Sequence, residues 1–107
     1  LKQMDKYNIP HSKIWFDPGI GFGKNLSQNL EIMQNIQQFK IKKCGIILGS
    51  SRKSWISGID QSEVYSRLGG SLASALYCYK KGVNMFRVHD VKATNQALKV
   101  YKNLCLK

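Results

Sequence analysis

The chain has 107 residues, enough for one small domain, and carries 17 Lys and Arg against 6 Asp and Glu, a formal charge of +11. No stretch approaches the ~20 apolar residues of a membrane span, and the first residues lack the charged-then-apolar layout of a signal peptide, so a soluble, cytoplasmic protein is expected. Cys44, Cys78 and Cys105 are few, odd in number and far apart, which speaks against a disulfide framework or a zinc site and for buried free thiols.

So basic a chain attracts anions, and nucleic acid and phosphorylated small molecules both qualify. Most lysines are scattered, as on solvated helix faces and loops. Neither an aromatic-basic RNA-binding pattern nor zinc-finger spacing is present. Small-molecule anions are therefore the expected partners, with no nucleic acid and no membrane.

In chain order, "LKQMDKYNIPHS" reads as the tail of a helix and its connection. "KIWFD" at 13–17 is short, apolar and aromatic, the pattern of a strand. The glycine-rich "PGIGFGK" follows, and then 26–39 spaces Leu30, Met33, Ile36 and Phe39 along one helical stripe. The run at 44–49 suits a strand covered on both faces. After the loop "SSRKSWISGI", a long helix is expected from about Asp60, with Asp60 and Glu63 spaced as a capping box. Lys80, Lys81 and Gly82 mark its end. A third strand at 84–88 precedes a helix at 91–106 with Ala97, Leu98, Tyr101, Leu104 and Cys105 on one face.

Alternation of strand and helix with short links predicts an α/β fold of parallel strands and right-handed crossovers. An open doubly wound sheet and a part of a (β/α)8 barrel both fit. Three units are too few for a whole barrel, which takes ~250 residues. In either architecture the site lies at the carboxyl ends of the strands. The first end offers Asp17 and the glycine loop. The second offers Gly49, Ser50, Ser51, Arg52, Lys53 and Ser54, and the third Arg87, His89 and Asp90.

Each of these residues has a plain reading and a functional one. Asp17 before Pro-Gly can open a turn, or its two oxygens can grip a guanidine-like heterocycle edge. Gly19, Gly21 and Gly23 allow a close backbone approach, but the spacing is neither a P-loop nor GxGxxG. Of the adjacent pair Arg52 and Lys53, Lys53 can reach a substrate heteroatom while Arg52 turns outward to a structural partner. Arg87 and His89 stand two apart, so in extended chain they share a side and can clamp a diphosphate.

These segments resemble dihydropteroate synthase of the pterin-binding barrel family. "FDPGIGFGK", "GSSRKSWI", "RLGGSLAS" and "FRVHDV" match its motifs in order and spacing over nearly the whole chain. The resemblance implies that residues 1–107 form the C-terminal part of one (β/α)8 domain: its sixth, seventh and eighth strands, with the N-terminal strands absent. It implies the condensation of 4-aminobenzoate with (7,8-dihydropterin-6-yl)methyl diphosphate, with Mg²⁺ whose main ligand lies in the missing part. Asp17 and Lys53 would be the catalytic pair. Asp17, Gly49, Lys53, Arg87 and His89 would bind the pterin diphosphate, and Phe22 and Ser54 the 4-aminobenzoate. No metal ligand is expected in this chain, and the full-length family implies a homodimer through 61–81 and 91–106.

With the first five strands missing, the 107 residues are expected to be nearly inactive alone and marginal as a free domain, because three strands leave an apolar edge unpaired. Two other readings stand beside this one. One is a related pterin-binding barrel of the methyltetrahydrofolate methyltransferase type. The other is a non-catalytic remnant that binds anions through its charge.

Overall fold

The computed structural model describes residues 7, 8, 10, 15–21, 23–39 and 44–106. Its elements in chain order are β1 (Trp15–Phe16), α1 (Leu26–Gln34), a 3-10 turn (Ile36–Phe39), β2 (Gly45–Leu48), a second 3-10 turn (Val64–Ser66), α2 (Leu68–Lys80), β3 (Met85–Phe86) and α3 (Val91–Leu104). The three strands are parallel and run in sequential order, β1-β2-β3. Trp15 pairs with Gly45 and Phe16 with Ile46; Ile47 pairs with Met85 and Leu48 with Phe86. β2 and β3 are shorter than the apolar runs that announce them, residues 13 and 14 of the first run lying outside the described residues, although the Arg87 N–H still reaches the Leu48 carbonyl at 2.8 Å.

Sequential order with right-handed crossovers puts both crossover helices on one face of the sheet. Ile46 and Leu48, at 0 and 1 % exposure, face that side with Phe16 and Phe86. Ile20, Met33, Ile36, Trp55, Ile56, Cys78 and Val83 complete the core there. The pleat turns Trp15, Gly45, Ile47 and Met85 to the other face. Trp15 and Met85 remain 38 and 40 % exposed, so this apolar face is only half covered.

Several boundaries depart from expectation for local reasons. The stripe at 26–39 splits at Asn35, whose side chain donates to the Glu31 carbonyl at 2.9 Å and competes with the helical ladder. At the start of α1, Asn25 and Gln28 form a reciprocal capping box. Asp60 does not begin a helix. Trp55 and Ile56 are drawn into the core, residues 54–60 become turns, and α2 starts at Leu68. Arg67 holds that start by donating to the carbonyls of Arg52 and Ser62, each at 3.0 Å. Gly70 then passes so close to Ile56 that a Cβ would lie 2.6 Å from its Cγ2.

α2 ends as expected, with Gly82 at φ 107° and the Val83 N–H bonded to the Cys78 carbonyl. On α3, Ala97, Leu98 and Tyr101 are less exposed than the outer face, and Tyr101 meets Tyr79 edge-on at 6.2 Å. Leu104 and Cys105, expected on the same face, are exposed. Cys44 and Cys78 are buried free thiols, whereas Cys105 is a free thiol at the surface. No helix among the described residues is long and apolar enough to cross a membrane.

Candidate functional site

The three strand ends come together. Asp17 follows β1, and its Oδ1 accepts from the Gly19 N–H at 2.8 Å, the turn-opening bond that an Asp before Pro-Gly makes. Its Oδ2 accepts from Arg87 Nη2 at 2.9 Å, so one carboxylate both opens the turn and reaches across to the third strand end. Burial would raise the Asp17 pKa. The Gly19 hydrogen bond, the bond and charge of Arg87, and the charge of Lys53 outweigh it and hold the carboxyl below its usual range.

Gly49 is buried at the end of β2, and the Arg87 guanidinium lies across it where a Cβ would stand. Lys53 reaches over the loop to the Ile20 carbonyl. Its Cδ passes 2.9 Å from where a Cβ on Gly21 would be, and Gly21 sits at φ 88°, so two constraints exclude a side chain there. Gly19 and Gly23 also have positive φ, as the loop's composition predicts. Burial and the nearby Arg87 charge lower the Lys53 pKa, with Asp17 acting the other way.

Arg52 turns outward as expected. It takes φ 53° and grips Asp90 with Nε at 3.1 Å and Nη2 at 2.7 Å, while the Tyr65 ring lies 5.4 Å from its guanidinium carbon. The hydrogen bond from Arg52 holds the Asp90 carboxyl below its ordinary pKa. Asp90 therefore ties two strand ends together and leaves α3 without a side-chain cap.

Gly49, Ser51, Lys53, Arg87, Val88 and His89 line one cavity of 260 Å³. Arg87 and His89 thus share a site with Lys53 and Gly49, and Asp17 stands at its rim through Arg87. Ser54 is exposed and lies outside this lining, and Phe22 lies outside the described residues. The two carboxylates at the strand ends, Asp17 and Asp90, already face guanidinium groups. With both carboxylates paired in this way, these strand ends offer Mg²⁺ no uncommitted carboxylate.

Three supporting groups were not foreseen. Asn29 is 2 % exposed; its Oδ1 accepts from the Gly21 N–H at 2.7 Å, and its Nδ2 donates to the carbonyls of Lys24 and Asn25. Its signal was a polar residue in the apolar register of α1, one turn before Met33. Ser71 and Ser74 of α2 hold the second strand-end loop: Ser71 Oγ accepts from the Arg52 N–H at 2.8 Å and Ser74 Oγ meets Ser50 Oγ at 2.8 Å. Ser51 Oγ meets His89 at both its backbone N–H and its Nδ1.

The sequence profile of the pterin binding enzymes matches residues 1–89. The chain belongs to the pterin-binding enzyme family. Within that family it is 37 % identical over 100 residues to the dihydropteroate synthase of Escherichia coli K12, a match over 94 % of this chain and 36 % of the relative. The dihydropteroate synthase of Coxiella burnetii, solved in complex with pteroic acid, superposes with a TM-score of 0.88 at 32 % identity over 96 % of this chain and 38 % of that one. The Thermus thermophilus enzyme, solved with 4-aminobenzoate, gives a TM-score of 0.87 at 33 % identity over 96 % and 40 %. The chain therefore spans about a third of the length of the curated relatives it matches.

Proposed function

We propose that this chain is the part of a dihydropteroate synthase that holds the pterin diphosphate, and that its sheet is three consecutive strands of a (β/α)8 barrel. Sequential strand order favours the barrel over a doubly wound sheet, whose order reverses and whose helices cover both faces. The half-covered face of Trp15, Ile47 and Met85 is the one a barrel turns inward. On this reading residues 1–107 form the C-terminal part of one domain.

The observation that carries the reading is the gathering of Asp17, Gly49, Lys53, Arg87 and His89 at three successive strand ends. In the proposed reaction the bond between the pterin methylene carbon and the diphosphate oxygen breaks, and its electron pair leaves on the diphosphate. The amine of 4-aminobenzoate forms the new C–N bond and gives up a proton. Arg87 and His89 bind the departing diphosphate, Asp17 takes the amino-pyrimidine edge, and Lys53 contacts the ring above Gly49. Phe22 and Ser54 are assigned to 4-aminobenzoate. Such a site orients its reactants and stabilises departing charge, and it needs no nucleophilic side chain.

A homodimer through 61–81 and 91–106 belongs to the same proposal. It is supported by the exposed apolar residues Tyr77, Val100 and Leu104 on α2 and α3. Calorimetric titration of the pterin diphosphate tests the site. Arg87→Ala and His89→Ala are each expected to weaken binding about tenfold or more, as loss of charge-assisted hydrogen bonds does. Unchanged affinity in both variants would favour a methyltransferase-type pterin site. Salt-sensitive binding of random DNA that free pterin diphosphate does not displace would favour the non-catalytic anion binder.

A further inference from the structure

We infer that Ser51 is a positioning residue that fixes His89 in the Nε2–H tautomer, so that the ring presents an N–H donor to an anion in the 260 Å³ cavity. A serine hydroxyl has one proton to give and two lone pairs to receive. Ser51 Oγ receives the His89 backbone N–H at 3.3 Å and lies 3.1 Å from His89 Nδ1. If Nδ1 carried the proton, Oγ would receive twice and its own proton would need a third partner. Ser51 is only 3 % exposed, and among the described residues the hydrogen bonds of its Oγ go to His89 alone. An unpaired donor at that depth is what folded proteins avoid. The satisfied arrangement has Oγ–H donating to Nδ1, which leaves the ring proton of the neutral imidazole on Nε2.

The backbone contact does a second job. It anchors the ring's own main chain to the same hydroxyl, so Ser51 sets where His89 stands as well as which nitrogen is protonated. Ser51 is held in turn, because its loop is tied to α2 through Ser50–Ser74 and Arg52–Ser71 and to the third strand end through Arg52–Asp90. His89 Nε2–H then joins Arg87 and Lys53 on the walls of one cavity, all three of them donors. The tautomer rests on geometry alone; its use toward diphosphate rests on the function proposed above.

Long-range ¹H–¹⁵N correlation of the ¹⁵N-labelled chain at mildly alkaline pH reads the tautomer directly. The chain's other histidine, His11, is assigned by comparison with His89→Gln. The expected spectrum shows an unprotonated Nδ1 and a protonated Nε2. Ser51→Ala is expected to shift the ring toward a mixture of tautomers and to weaken inorganic diphosphate binding about threefold to tenfold, the loss of roughly one hydrogen bond. Ser51→Thr, which keeps the hydroxyl, is expected to restore both. A wild-type ring protonated at Nδ1, or a Ser51→Ala ring identical to wild type, overturns the inference. The wild-type spectrum decides it even where Ser51→Ala does not fold. Failure of wild type to bind diphosphate while the Nε2–H signature is present overturns the proposed function and the use of His89 toward diphosphate, while the tautomer set by Ser51 stands on the spectrum.

Discussion

Arg87 is the residue on which the site turns, because it touches both other strand ends. It pairs with Asp17 of the first and lies across Gly49 of the second. A methyl group on Gly49 would meet the guanidinium, with the Arg87 Cζ 3.0 Å from the new Cβ. The guanidinium is the far end of a flexible side chain, so it moves and the backbone does not. Gly49→Ala is therefore expected to cost less than about 1 kcal/mol of stability while weakening diphosphate binding about tenfold. A titration with inorganic diphosphate beside a thermal melt checks this, and unchanged affinity would show that the contact with Gly49 does not set the position of Arg87.

The carboxylates of the site give a second prediction, in pH. Asp17 and Asp90 are both held below their ordinary value of 3.8. A depressed carboxyl stabilises the fold above its unfolded pKa and loses that stabilisation as pH falls through the folded one. Thermal stability is thus expected to hold from neutrality to about pH 4 and then to fall. Asp17→Asn and Asp90→Asn should each flatten part of that fall. Parallel acid profiles for wild type and both variants would place the acid sensitivity elsewhere.

At the scale of elements, the first two loops of the site are each built by the helix that follows them. α1 sends Asn29 back to Gly21, and α2 sends Ser71 and Ser74 back to Arg52 and Ser50. Asn29→Ala leaves the Gly21 N–H without its acceptor in a part-buried place, an expected loss of about 1–3 kcal/mol, readable by denaturant unfolding. Ligand affinity should fall with it, since the glycine loop lies against Lys53. A variant as stable as wild type would mean that water replaces Asn29 at no cost.

The same interactions show what the sequence could and could not reveal. The strand ends were legible because apolar runs stop abruptly at charged residues, and Arg52 was rightly assigned to a structural partner. The start of α2 was misread. Asp60 and Glu63 have capping spacing, but the burial of Trp55 and Ile56 outweighs a cap whose contribution is only about 1 kcal/mol. The roles of Asn29 and Ser51 stayed hidden because they depend on contacts 8 and 38 residues away: a polar residue in an apolar register marks Asn29, and a strand end marks Ser51, but neither pattern names the group it serves.

For the whole molecule the decisive feature is the sheet's second face. Parallel sheets are normally covered on both sides, yet here Trp15 and Met85 are 38 and 40 % exposed with Ile47 between them. Complete burial of such a side chain is worth about 1.5–3 kcal/mol, so two side chains about 40 % exposed forgo roughly 1–2 kcal/mol, a noticeable part of a small domain's stability. Among the described residues β1 and β3 also form the outer strands of the sheet, and such edges invite pairing with other chains. On the barrel reading one partner would satisfy both needs: a segment that supplies the remaining strands closes the edges, covers Trp15 and Met85, and completes the walls around Arg87 and His89. The 107-residue chain is therefore expected to bind a hydrophobic dye at neutral pH and to make dihydropteroate at no measurable rate. Co-expression with the N-terminal two-thirds of a relative such as the Escherichia coli enzyme should abolish dye binding and restore turnover, and Lys53→Ala in this chain should remove the turnover again. Synthesis at a normal rate by the isolated chain would sink this prediction, as would a co-expressed partner that leaves dye binding unchanged.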